Sequence, residues 1–155
     1  MSTKKIIGKY NIILLFHSYI NEEIINKNVE ELVSKFGSIE EIKEEGRYDT
    51  RYKKQLIKVN LINVIAILNK DSIKSMKSII MENKNICKFM ILVYNNKIIE
   101  NKISCINPIE MKKYMFESLR IMPKELTGFV SKHQRILAKN IKRSKTLGLL
   151  ESAIK

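Results

Sequence analysis

At 155 residues, 45% of them apolar, the chain suffices for one domain or two very small ones with a modest core. A formal net charge of +13 and a pI near 9.7 point to a polyanionic partner, nucleic acid ahead of an anionic membrane surface. No apolar run approaches the roughly 20 residues of a spanning helix. Cys87 and Cys105, with only two histidines beside them, argue against a disulfide framework or zinc site and for reduced thiols.

In chain order, "MSTKKIIGKYNIILLFHS" loosely mimics a signal peptide but lacks a small-residue cleavage site, and its alternation suits a strand. Residues 9–18, β-branched and aromatic, read as a buried first strand. Asn21 is placed to cap a helix, with Glu22 and Glu23 at its positive end. Ile25, Val29, Leu32, Val33 and Phe36 recur at helical spacing, and Gly37 reads as the C-terminal cap. Residues 38–54 predict an exposed strand that bends at Gly46. Its acidic cluster, Glu40, Glu41, Glu44 and Glu45, reads as a solvated edge rather than paired catalytic carboxylates. Residues 56–70 predict a second buried strand. A helix opening at Asp71 or Ser72 carries Ile73, Met76 and Ile80, and residues 86–94 form the last strand.

The order strand, helix, strand, strand, helix, strand predicts an α+β fold. It is the ferredoxin-like split β-α-β sandwich, a four-stranded antiparallel sheet with both helices on one face. We place this domain over residues 1–95 and a polar linker over 96–107. A small basic all-α segment, residues 108–155, is expected to pack on the sandwich. The charge divides unevenly along the chain. Residues 1–100 hold 17 basic and 12 acidic side chains, whereas residues 101–155 hold 12 and 4.

Within the last segment a helix is predicted from Ile109 to Leu119, and "MPKELTG" turns the chain. Ser131 with Gln134 matches a capping box, so the final helix is expected to start at Lys132 and to stop at Gly148. Six basic residues and no acid lie between Ser131 and Lys145. Lys132, Arg135, Lys139, Lys142 and Arg143 fall within about 100° of arc at 3.6 residues per turn. Ile136, Leu137, Ile141 and Leu147 share a neighbouring face with His133, Asn140 and Ser144. A basic surface helix is often merely solvated, but surface helices that stand alone usually mix signs, and this one does not.

No Gly-rich phosphate loop, nucleophile elbow or His-Glu-x-x-His stands in the chain, so the sequence reads as a binder with no catalytic residues, metal or cofactor. His17 at a strand end reads as structural or simply exposed. His133 suits packing or a hydrogen bond to RNA equally.

"MPKELTGFVSKHQRILAKNIKRSKTLGLL" resembles the C-terminal part of bacterial-type small-subunit ribosomal protein number eighteen. The matching positions are Pro123, Lys124, Thr127, Gly128, Lys132, Gln134, Arg135, Leu137, Ile141, Lys142, Arg143, Leu147, Leu149 and Leu150. Glu125 stands where the family has a second basic residue, and Ser144 and Lys145 replace Ala and Arg. Some family members bind zinc through cysteines, which Cys105 alone cannot do. The first 95 residues resemble small-subunit ribosomal protein number six in predicted strand order, in Tyr10 of the first strand, and in Gly46, Arg47 and Tyr52. Glu45 and Asp49 depart from that pattern.

The two resemblances imply a fusion, in one chain, of two proteins that ordinarily pair and dock on the central domain of small-subunit rRNA, in the platform. They also imply a ribosomal location, in a bacterial cytoplasm or an organelle with bacterial-type ribosomes, and contact with neighbouring platform proteins. The implied RNA-binding residues are Lys124, Thr127, Lys132, His133, Gln134, Arg135, Lys139, Asn140, Lys142, Arg143 and Lys145. Arg47, Arg51, Lys53 and Lys54 form a secondary patch on the first domain. The Lys, Ile and Asn bias suggests an AT-rich genome, and no clear transit peptide precedes the first strand. Two alternatives remain at this point: a free RNA-binding regulator acting on its own messenger, and a basic helix lying on an anionic membrane. The absence of Trp and the polar residues beside the apolar stripe disfavour the second.

Overall fold

The computed structural model describes residues 7–94 and 104–151. Four strands, β1 (Ile7–His17), β2 (Gly37–Tyr52), β3 (Gln55–Asn69) and β4 (Ile86–Val93), form one sheet in the order β2-β3-β1-β4. β1 is central and antiparallel to both neighbours, with Ile12 opposite Val64 on β3 and Ile91 on β4. Two helices, α1 (Glu22–Ser34) and α2 (Ile73–Glu82), complete the ferredoxin-like α+β arrangement that the strand order predicts.

Alternation along β1 explains where the core sits. Ile12, Leu14 and Phe16 point to one face and meet Ile25, Val29, Leu32 and Val33 of α1 and Met76 and Ile80 of α2. Each such fully buried side chain contributes about 1.5–3 kcal/mol. The residues between them, Ile13 and Leu15, are buried as well, as are Val59, Leu61 and Ile65 of β3. The central strands are therefore apolar on both sides, which is why their sequences read as continuous hydrophobic runs. β2 lies at the sheet edge, and its acids are spent there. Glu40 pairs with Lys9, Glu41 pairs with Lys43 at 3.2 Å, and a carboxylate oxygen of Glu45 accepts from Asn63 Nδ2 at 3.4 Å. Charge on an exposed edge also discourages pairing with another sheet.

Several expectations about helix ends are corrected. Asn21 does precede α1, but its side chain makes no capping hydrogen bond. α1 ends at Ser34, and Gly37 is the first residue of β2 rather than a cap. Gly37 is needed for a different reason: a Cβ there would collide with the carbonyl oxygen of Ile67. A single 3-10 turn, Lys70–Ser72, held by the Asn69 side chain accepting from the Asp71 amide at 3.3 Å, precedes α2, which begins at Ile73. Gly46, where a bend is expected, adopts φ +116° within the continuous strand β2, a conformation that favours glycine.

β2 and β3 are joined by a two-residue turn, Lys53 and Lys54, with φ of 47° and 67°. Positive φ at both central positions is the type I′ signature, normally filled by Asn-Gly because other residues crowd Cβ against the carbonyl. Two lysines there cost roughly 1–2 kcal/mol each.

The chain divides into two compact units. The first runs through residues up to Tyr48 and through Ile57–Tyr94. The second joins the hairpin end, Asp49–Leu56, to the residues after the sheet. Of the linker expected over 96–107, residues 96–103 lie outside the described residues. In the second unit the helix expected over Ile109–Leu119 is confined to α3 (Pro108–Lys112), capped by Asn107 Oδ1, which accepts from the Glu110 amide at 3.3 Å. Met115 then bridges to Ile121, and Leu119 turns the chain at φ 61°. A short α4 (Lys124–Thr127) ends on Gly128 at φ 69°, and α5 spans Ser131–Leu147.

Candidate nucleic-acid interface

α5 is built from both directions of its own sequence. Leu137 and Ile141 are fully buried against Met111, Met115 and Leu150, with Tyr114, Leu119, Ile121 and Phe129 partly buried around them. Its end is a Schellman closure. Gly148 adopts φ 77°, its amide donates to the Lys145 carbonyl at 3.0 Å, and the Leu149 amide donates to the Ser144 carbonyl at 3.0 Å.

The expected capping box is absent. The helix starts at Ser131, with Val130 in the capping position and no side-chain cap. Gln134 is committed elsewhere: its Oε1 accepts from Thr127 Oγ1 at 2.7 Å and its Nε2 donates to the Met122 carbonyl at 2.7 Å. Thr127 Oγ1 in turn accepts from the Phe129 amide at 3.4 Å. These bonds tie the first turn of α5 to the segment before it, and they use both ends of the Gln134 amide.

The basic residues fall into two groups. Lys132, Arg135, Lys139 and Lys142 are exposed along one side of α5. Among the described residues they take part in no ion pair; the pairs present are Lys9–Glu40, Lys43–Glu41 and Lys113–Glu110. Lys124 is likewise exposed on α4. The second group is held by protein. Arg143 is half-buried and donates through Nη1 to Asn140 Oδ1 at 3.1 Å, and Lys145 Nζ donates to the Leu119 carbonyl at 2.9 Å. Asn140 is buried. His133 meets Phe129 edge to face, at 6.4 Å between ring centroids. Burial pushes the thiol of Cys105 up to about 11, with the nearby Arg143 charge acting against that rise. Cys87 is raised to about 11 by its own burial, so both stay protonated thiols at neutral pH.

The secondary patch is divided between the units. Arg47 is exposed in the first, whereas Arg51, Lys53 and Lys54 are exposed at the hairpin end, which belongs to the second. The residue that anchors this end, Thr50, escaped sequence reasoning. It is fully buried, and its Oγ1 donates to the Leu147 carbonyl at 2.7 Å, across 97 positions of sequence. Threonine in an exposed-looking strand carries no signal that would have marked it.

Geometrically, then, α5 offers a row of unpaired cations on a helix fixed by a small apolar core and by polar ties at its start. Such a row suits the regularly spaced charges of a phosphate backbone. No helix of the described residues is long and apolar enough to cross a membrane.

Residues 100–150 match the family model described as ribosomal protein S18. A small ribosomal subunit protein bS18 from Thermus thermophilus is 50% identical over 40 residues, 26% of this chain and 46% of that protein. One from Trichodesmium erythraeum is 50% identical over 40 residues, 26% and 56%. The bS18c protein of Stigeoclonium helveticum is 40% identical over 58 residues, 37% and 42%. The chain thus spans about half the length of the curated relatives it matches. Among solved structures, 30S ribosomal protein S6 from Thermotoga maritima aligns with a TM-score of 0.48 and 12% identity, over 57% of this chain and 89% of that one.

Proposed function

We propose that the chain is a structural constituent of the small ribosomal subunit. In this reading an S18-type segment and an S6-like domain, usually two proteins, are joined in one chain that binds the central domain of small-subunit rRNA. The observation that carries the reading is the row Lys132, Arg135, Lys139 and Lys142, exposed and without acidic partners among the described residues, inside the segment similar to S18. The strand order, with Tyr10, Gly46 and Arg47 of the first unit and Tyr52 at the hairpin end, supports the S6-like half.

The row, with Lys124 and the flank of Arg143, neutralises phosphates and releases counterions. Thr127, Gln134 and Lys145 hold the helix in place through their protein bonds, Asn140 accepts from Arg143 within the helix, and His133 lies beside the row. Recognition is of folded RNA by shape rather than of a linear code. Joining the halves makes their pairing intramolecular, at an effective concentration of order millimolar. The protein works without catalysis or cofactor, beside other platform proteins, in a bacterial cytoplasm or an organelle with bacterial-type ribosomes.

The test is binding of the chain to a central-domain rRNA fragment and to scrambled RNA of equal length, across a salt series. These six phosphate contacts give a log–log slope of about −4.2 to −5.4. A preference for the native fragment that persists at high salt supports the ribosomal reading. Equal and steeply salt-dependent binding to both RNAs reduces the protein to a general RNA binder.

A further inference from the structure

The type I′ turn at Lys53 and Lys54 is chemically mismatched with its backbone. The positions that most favour Asn and Gly hold two long cationic side chains, both exposed, with Arg51 exposed two residues before them. Strain of this kind persists where the surroundings fix the conformation, and it clusters where function demands the residue. The surroundings are visible here. Thr50, fully buried, donates to the carbonyl of Leu147, the last residue of α5, so the hairpin end is tied to the helix that carries the unpaired cations. Because strand side chains alternate, burying Thr50 turns Arg51 outward. Lys53 Nζ lies 5.2 Å from the Tyr52 ring centroid, and among the described residues it takes part in no ion pair.

We propose that the hairpin end, Arg51, Lys53 and Lys54, is a second phosphate-binding element that belongs to the same RNA-binding unit as α5. It rests on the RNA-binding reading above and extends it from one helix to two elements. Lys53 stands three residues from Thr50, a reach of about 10 Å at most. Lys142 stands five residues before Leu147, about 7.5 Å along the helix. Laid end to end through the Thr50–Leu147 bond, the two spans reach at most about 20 Å, roughly two Debye lengths at physiological salt, so the two sets of cations meet different phosphates of one folded RNA. Thr50 is a positioning residue in this arrangement, and the three cations make the contacts.

The experiment uses the full chain and the central-domain rRNA fragment, with four proteins side by side: wild type, Lys53→Asn/Lys54→Gly, Thr50→Val and Lys139→Ala/Lys142→Ala. The Asn-Gly replacement suits the turn better than the native pair, so folding is retained and only charge is lost. Its log–log salt slope should become shallower by about 1.4–1.8, matching the shift of the Lys139→Ala/Lys142→Ala variant. Thr50→Val keeps every charge and should still weaken binding, with a thermal melt reporting whether the second unit remains folded. Should the Asn-Gly variant bind with wild-type affinity and slope while the helix variant loses both, the hairpin inference is wrong and the RNA-binding reading stands. If wild type itself binds the fragment without any salt dependence, both fall.

Discussion

The sheet edge of the first unit and α5 of the second treat surface charge in opposite ways. In the first, lysines find acids: Lys9 meets Glu40 and Lys43 meets Glu41, over a core that gathers three strands and two helices. In the second, α5 exposes Lys132, Arg135, Lys139 and Lys142 with no acid in the helix, over a core whose fully enclosed members are few. A self-contained domain can neutralise itself. One that leaves like charges side by side accepts their repulsion, and a polyanion relieves it. The second unit offsets its small core with directional bonds, Thr127 to Gln134, Gln134 to Met122 and Lys145 to Leu119.

That contrast can be broken most forcefully in the small core. Leu137→Ala should cost about 2–5 kcal/mol of the second unit's stability, because few neighbours can close the void. Chemical denaturation followed by tyrosine fluorescence should then show an early transition, with the sheet unit melting later. A single undisturbed transition would mean that the units are not separable in stability.

Next comes the polar tie. Gln134→Ala strands the Met122 carbonyl and the Thr127 hydroxyl and should cost about 1–3 kcal/mol. The same variant should leave the RNA salt slope unchanged, since a neutral amide releases no counterion. A loss of affinity at unchanged slope, larger than the lost stability explains, would place Gln134 among the RNA contacts instead.

Charge removal separates the two roles from the other side. Lys139→Ala and Lys142→Ala should each flatten the salt slope by about 0.7–0.9, while thermal stability shifts within about 0.5 kcal/mol, as for exposed sites generally.

The smallest effect belongs to the first unit. The hydrogen bond to Glu40 raises the Lys9 pKa above its ordinary 10.5. A raised folded-state pKa means that the pair's contribution is fully present below 10.5 and fades as pH climbs through the folded value. Melting temperatures of wild type and Lys9→Gln should therefore differ slightly at pH 8 and converge in strongly alkaline buffer. Persistence of the gap there would assign it to the lysine stem rather than its charge.

Most of the sheet could be read directly, because each strand's pattern is set by its own residues: continuous apolar runs in β1 and β3, charged alternation in β2. Helix ends were less legible. Ser131 and Gln134 have capping-box spacing, yet Gln134 is recruited by residues seven and twelve positions earlier, a competition no local rule contains. Met111, Met115 and Leu119 recur every four residues and do line the core, but the backbone after Lys112 reaches it through a bridge and a left-handed Leu119 rather than a helix. Periodicity reported burial correctly and conformation wrongly. In the candidate interface the charge row was plain from spacing, whereas the bond that draws Lys145 to the Leu119 carbonyl depends on a tertiary neighbour 26 positions away.

The bond from Thr50 to Leu147 also governs when the protein can be finished. Loop closure over 97 residues is slow compared with the local hairpins of the sheet. During synthesis at about 5–20 residues per second, the hairpin end is made several seconds before its partner exists. The first unit can fold while the chain is still growing, but the second stays open until Leu147 has emerged. Cutting the chain between the sheet and the helices would therefore not yield two complete pieces, because the helical piece would lack the segment around Thr50.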